Sequence, residues 1–169
     1  KGGNLFILAN AAGRPMINSV GSPKLVINGT TLDYLAESFM AGDPLEGGGF
    51  VVINGIRFND KGEIESLDTP YPGGNLFSLS SGGAIYVRDP HQRLSGSQLN
   101  GGDFTELTDA DWQVIEPLLM ENEEHFGIPL AGLLSVDGEI KAPAEVYRKI
   151  IPLKNKALSV EDAWAAKHD

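Results

Sequence analysis

Three side chains in this sequence are of the type that moves protons or binds metals near neutral pH: His91, His125 and His168. They stand 34 and 43 residues apart, and none has a second histidine or a carboxylate at a metal-ligand spacing. Asp89-Pro90-His91 follows the end of an apolar run, where a loop could present the imidazole. His125, next to Glu123 and Glu124 near the end of a helical stretch, fits a side chain that complements a helix dipole. Cysteine is absent altogether. That excludes disulfides, thiolate zinc sites, cysteine-held iron–sulfur clusters and a cysteine nucleophile within this chain.

Paired carboxylates could serve as general acid and base, as in polysaccharide-cleaving enzymes. The acids of the first hundred residues (Asp43, Glu46, Asp60, Glu63, Glu65, Asp68) fall mainly in turns and insertions, the pattern of solvated charge. Ser78, Ser80 and Ser81 lack the Gly-x-Ser-x-Gly elbow of a hydrolase. Gly47-Gly48-Gly49 could cradle a phosphate, but it leads into the strand-like Phe50-Val51-Val52 and not into Gly-Lys-Ser/Thr and a helix. Asn28-Gly29-Thr30 matches a glycosylation sequon and reads as a turn. Tyr34, Phe39, Tyr71 and Trp164 are either a docking surface or core and cap residues. No residue is therefore assigned to catalysis, cofactor binding or metal binding.

The elements that must position any site divide near residue 104. Most of the 21 glycines crowd the segment from Gly2 to Gly102, and only Gly127, Gly132 and Gly138 lie beyond it. At 169 residues, 41% hydrophobic and 21% charged, the composition is that of a globular protein with a buried core. A net charge of −10 disfavours nucleic acid and anionic lipid, which need clustered cations. Runs such as Phe50-Val51-Val52-Ile53 are far shorter than the roughly 20 residues of a membrane helix, and no signal segment is visible. The expectation is a cytoplasmic protein without nucleic-acid or membrane partners.

Internal repeats organise the first part. Leu25-Val26-Ile27-Asn28-Gly29 returns 26 residues later as Val51-Val52-Ile53-Asn54-Gly55, with a looser copy at Ala84-Ile85-Tyr86-Val87-Arg88-Asp89. Gly2-Gly3-Asn4-Leu5-Phe6-Ile7-Leu8 returns as Gly73-Gly74-Asn75-Leu76-Phe77-Ser78-Leu79. In a hairpin the next strand would follow each Asn-Gly at once, yet Thr30 to Glu37 is polar. Similar strands returning every twenty to thirty residues fit parallel stacking in a solenoid, with glycines at the corners. The fold expected is all-β: a right-handed parallel β-helix over 1–104, with a hairpin insertion near 57–71 around Asn59-Asp60-Lys61-Gly62.

Residues 105–169 read as a mainly helical C-terminal cap. Thr108-x-x-Asp111 is a capping box for a helix presenting Trp112, Ile115, Leu118 and Leu119, which Pro117 should kink or split and Gly127 should end. Asp137-Gly138 turns a small hairpin, Pro143 opens a short helix to about Ile151, and Ser159-x-x-Asp162 caps a last segment carrying Trp164.

Taken together, these motifs resemble the glycine-rich β-helix (GXGXG) domain of the glutamate synthase large subunit, in its stand-alone form. The resemblance is carried by strands ending in Asn-Gly or Arg-Asp, by Asp33-Tyr34-Leu35-Ala36, and by Gly48-Gly49 and Gly82-Gly83 before strands. It continues through Leu107-Thr108, Asp111, Pro117, Phe126-Gly127 and Lys149-Ile150-Ile151-Pro152, although a strict Gly-x-Gly-x-Gly run is absent. One of the subunits of formylmethanofuran dehydrogenase shares that fold. The resemblance implies a non-catalytic scaffold in a glutamate synthase-like oxidoreductase of glutamate biosynthesis, with FMN and the iron–sulfur cluster only in partner domains or subunits. A homo-oligomer is compatible with it. The alternatives are a formylmethanofuran dehydrogenase-like complex or a β-helical enzyme on a carbohydrate or small polar substrate.

Overall fold

Short runs of β-branched and aromatic residues lie side by side in this chain, whose computed structural model describes residues 2–153. The segment expected after Ser159, with Trp164 and His168, lies outside the described residues. Strands β1 (Gly2–Ile7), β2 (Ser22–Ile27) and β3 (Phe50–Ile53) pair in parallel. The 26-residue repeat sets the register, placing Leu25 opposite Val51 and Ile27 opposite Ile53. An antiparallel hairpin follows, β4 (Ile56–Phe58) with β5 (Ile64–Ser66). Strand β6 (Ala84–Arg88) then pairs in parallel with β3, Val51 opposite Ile85.

After β7 (Gly102–Thr105) comes helix α1 (Asp109–Phe126), bounded by the Thr108–Asp111 capping box and by Gly127 in the left-handed conformation at φ 66°. It continues through Pro117, which removes one N–H donor without ending the helix. Helix α2 (Leu130–Leu134), the two-residue strands β8 (Ser135–Val136) and β9 (Glu139–Ile140), and α3 (Pro143–Val146) lead to β10 (Tyr147–Pro152). Strand β10 slots antiparallel between β6 and β7, giving the order β1-β2-β3-β6-β10-β7.

This arrangement overturns the expected all-β right-handed parallel β-helix. The fold is mixed α/β, an open six-stranded mixed sheet with two small sheets, 22% helix against 31% strand, and the described residues form no solenoid or closed barrel. Two local causes account for the difference. First, the segments that return the chain between parallel strands are not strands, and touch through single parallel bridges such as Ala11 with Thr31 and Leu76 with Leu99. Every second residue in them is left-handed: Met16 and Asn18, then Tyr34, Ala36 and Ser38, then Asn75, Phe77 and Leu79, with φ between 53° and 65°. Thus Gly73–Leu79 does not repeat the β1 strand whose sequence it shares. Second, the helix expected from Pro143 to Ile151 stops at Val146, and Tyr147–Pro152 reverses the sheet's direction.

The pleat sends alternate residues to two cores. Leu25, Ile27, Val51, Ile53, Ile85 and Val87 face the returns, against Leu35, Phe39, Leu76 and Phe77. Val26, Phe50, Val52, Ala84 and Tyr86 face α1 and α2, against Ile115, Leu118, Leu119 and Leu133.

Candidate functional site

The second core buries charge and hydrogen-bonding side chains as well as hydrocarbon. Asp111, fully buried in the first turn of α1, accepts from the Tyr86 hydroxyl at 2.7 Å and pairs with the Lys149 ammonium at 2.6 Å through one carboxylate oxygen. Its other oxygen accepts from the Thr108 N–H and hydroxyl at 3.0 and 2.8 Å. Burial pushes this carboxyl upward, but Lys149, Tyr86 and Thr108 together outweigh burial and hold it below the ordinary carboxylate range. Burial, reinforced by the hydrogen bond and charge of Asp111, raises the Tyr86 phenol. With four donors on two oxygens, Asp111 is engaged as a fastener between β6, β10 and α1 and not as a general base.

A second polar line crosses the same core. Tyr147 donates to Asn54 at 2.8 Å, Asn54 donates to Asn28 at 2.8 Å, and Asn28 exchanges two hydrogen bonds with Asn122 of α1 at 2.8 and 2.9 Å. Asn28 and Asn54, read from sequence as turn residues, are buried at the same position of successive strands. Arg88 continues the row on β6. Burial lowers its guanidinium, which the nearby Tyr147 partly offsets. The sequence signal for this row was available: the position directly after each apolar run, Asn28, Asn54 and Arg88, is polar in every copy.

The row ends at a cavity of about 140 Å3 lined by Arg88, Asp89, His91, Arg93, Ser66 and Asp68 among others. Asp89 is buried and accepts from the Arg93 and Leu94 N–H groups at 2.8 and 3.0 Å, and Arg148 pairs with it at 2.8 Å. Of the residues singled out from sequence, His91 and Asp68 come together here. His125 lies elsewhere, on α1 with Glu121 at 3.7 Å and its ring 4.9 Å from that of Phe6. Gly48 and Gly49 sit where a Cβ would collide with backbone, Gly48 at 2.4 Å from the Ala41 carbonyl, so close packing explains them without a ligand. Phe39 and Tyr71 are buried core residues, and burial raises the Tyr71 phenol to about 12. Tyr34 stacks under Arg14 at 4.5 Å. Among the described residues, no three His, Asp or Glu side chains are grouped to hold a metal ion, and no helix is long and apolar enough to cross a membrane. No family model, curated protein or solved structure matches the chain.

Proposed function

We propose that this chain is a non-catalytic structural module of a glutamate synthase-like oxidoreductase in the cytoplasm. It would hold partner domains that carry FMN, the iron–sulfur cluster and the amidotransferase chemistry. One observation carries the reading: the alternation of left-handed residues at Tyr34, Ala36 and Ser38 and again at Asn75, Phe77 and Leu79. Glycine at every second position, the repeat of the family the sequence resembles, is the composition that would make this backbone cheap, although the six positions here are not glycine. The tail motifs of the resemblance add support, because Thr108, Asp111, Gly127 and Lys149 are the residues that cap α1 and fasten it to the sheet. The proposal keeps the role that the resemblance implies and drops the architecture.

Assembly needs a surface, and β1 offers one. Among the described residues it is one of the two edge strands of the sheet, with Leu5 56% exposed and Leu8, Ile17 and Val20 exposed beside it. Co-expression with FMN-binding and amidotransferase polypeptides of glutamate synthase type is expected to yield a stoichiometric complex. Leu5→Asp is expected to abolish co-purification while leaving the circular dichroism spectrum unchanged. The isolated chain is expected to bind neither FMN nor glutamine; tight stoichiometric binding of either, measured by calorimetry, would sink the proposal.

A further inference from the structure

The cavity at the end of β6 is where cations of this acidic chain stand without carboxylate partners. Arg88 enters it from the sheet. Its guanidinium donates to the Leu133 carbonyl at 2.7 Å, the Ser66 hydroxyl at 2.8 Å and the Ser135 carbonyl at 3.0 Å. Those bonds use three of the five N–H groups a guanidinium carries. Among the described residues no carboxylate pairs with it, although it is only 5% exposed. Arg93 also lines the cavity, donating to the Asp68 carbonyl at 2.7 Å, and it too has no carboxylate pair among the described residues. His91 stands at the rim with Nε2 3.9 Å from the exposed Asp137.

Two carboxylates also line the cavity. Asp89 is already neutralised by Arg148 and by two backbone N–H groups. Asp68 is exposed to water, where its field is screened. The balance left is two guanidiniums against one solvated carboxylate, His91 facing Asp137, in a chain of net charge −10. A buried guanidinium held only by neutral acceptors is an expensive arrangement, and an anion arriving beside it offsets part of that cost. Arginine's planar fork also matches the oxygens of a carboxylate or phosphate better than any other side chain.

We propose that this cavity is a binding site for a small oxyanion, a carboxylate or a phosphate, held between Arg88 and Arg93 with His91 at its mouth. The site gives the β4–β5 hairpin a purpose. Ser66 and Asp68, at the hairpin's exit, position both arginines. Gly55, at its entrance, has φ 59° and packs so closely on Pro70 that a Cβ would lie 2.9 Å from it, which fixes the wall. The inference does not rest on the assembly role, and either can fail alone.

Titration of the 15N-labelled full chain with inorganic phosphate, and separately with sodium acetate, at constant ionic strength tests it. Saturable shifts of the His91, Arg93 and Leu94 amides with at least one anion are expected, and the preferred anion separates phosphate from carboxylate recognition. Arg93→Gln, a surface change, is expected to weaken binding about fivefold or more with the rest of the spectrum unmoved. Arg88→Met is expected to abolish binding; if that variant does not fold, Arg93→Gln and His91→Ala still decide. Absence of a saturable shift with both anions, or an unchanged affinity in Arg93→Gln, overturns the proposal.

Discussion

On the side of the sheet that faces the returns, Leu25, Ile27, Val51, Ile53, Ile85 and Val87 meet Leu35, Phe39, Leu76 and Phe77, almost entirely hydrocarbon on hydrocarbon. On the side that faces α1, comparable hydrocarbon is threaded by Asn28, Asn54, Arg88, Asp111, Asn122 and Lys149. The difference follows from how each layer is located. The returns are continuous with the strands and are joined to one another by backbone hydrogen bonds, such as Ala36 N–H to the Pro15 carbonyl at 2.9 Å and Phe77 N–H to the Leu35 carbonyl at 3.0 Å. Their positions are fixed before any side chain contributes, so an apolar filling suffices. Helix α1 arrives from a distant stretch of sequence, and an apolar face alone would let it slide or rotate on the sheet. Directional bonds from Asp111 at one end and Asn122 near the other pin both its rotation and its register.

That contrast makes removal of one partner of the charged pin at Asp111 costlier than removal of a comparable apolar group. Asp111→Ala leaves the Lys149 ammonium buried without its partner, with an expected loss of about 3–5 kcal/mol in urea unfolding. Asp111→Leu combined with Lys149→Met is expected to recover most of that, because two well-packed apolar groups replace the pair. On the opposite face, Ile53→Ala is expected to cost about 3 kcal/mol, with no partner substitution able to rescue it. Additive behaviour of the Asp111 and Lys149 variants would break the comparison.

Titration sharpens it further. Burial raises the Tyr71 phenol to about 12, so its contribution is complete below the unfolded value near 10 and disappears as pH climbs from there through about 12. A loss of about 2–3 kcal/mol over that window is expected in denaturation series, to which the raised Tyr86 and Tyr147 phenols add. Asp111 works in the opposite sense. Its folded-state value is lowered, so its contribution is present above the unfolded carboxylate value near 4 and is lost as pH falls below it.

Smaller effects test the geometry of each layer. Asn28→Ala breaks the exchange with Asn122 and strands its amide, with an expected cost of about 1–2 kcal/mol; adding Asn122→Ala should cost less than the sum. Ser38, at φ 53°, makes no side-chain hydrogen bond among the described residues. Replacing it with glycine relieves the left-handed strain, and a gain of about 0.5–1 kcal/mol in thermal unfolding is expected. A loss there would show that the left-handed backbone at Ser38 holds no strain for glycine to relieve.

Much of the strand register was legible in the residues. A repeat of apolar runs at a fixed offset places Leu25 on Val51 because side-chain direction alternates, and a slip by one residue would exchange the sets facing the two cores. The Thr108 cap, the Gly127 stop and the excursion around Asn59-Asp60-Lys61-Gly62 announce themselves through local hydrogen bonding and φ preferences. The returns were not legible, since Tyr34, Ala36 and Phe77 do not ordinarily take left-handed backbone and only tertiary stacking holds them there. Tyr147–Pro152 follows a proline that opens a helix, and its capture as a strand depends on vacancies at β6 and β7 that no local pattern records. The cavity was missed for the same reason. Arg88 and Arg93 belong to one turn, but Ser66 and Asp68 reach them only through the hairpin's fold.

The insertion of β10 between β6 and β7 also sets an order of events as the chain is made. Among the described residues strand β7 has β10 as its only neighbour in the sheet, so it cannot pair until some forty further residues have been synthesised. Until then the edge of β6 is open, a template for pairing with another chain. Emergence of Tyr147–Pro152 from the ribosome, not the completion of the repeats, is thus the step at which the edge of β6 is covered. A nascent chain arrested just after α1 is expected to be far more prone to aggregate than one in which β10 has emerged.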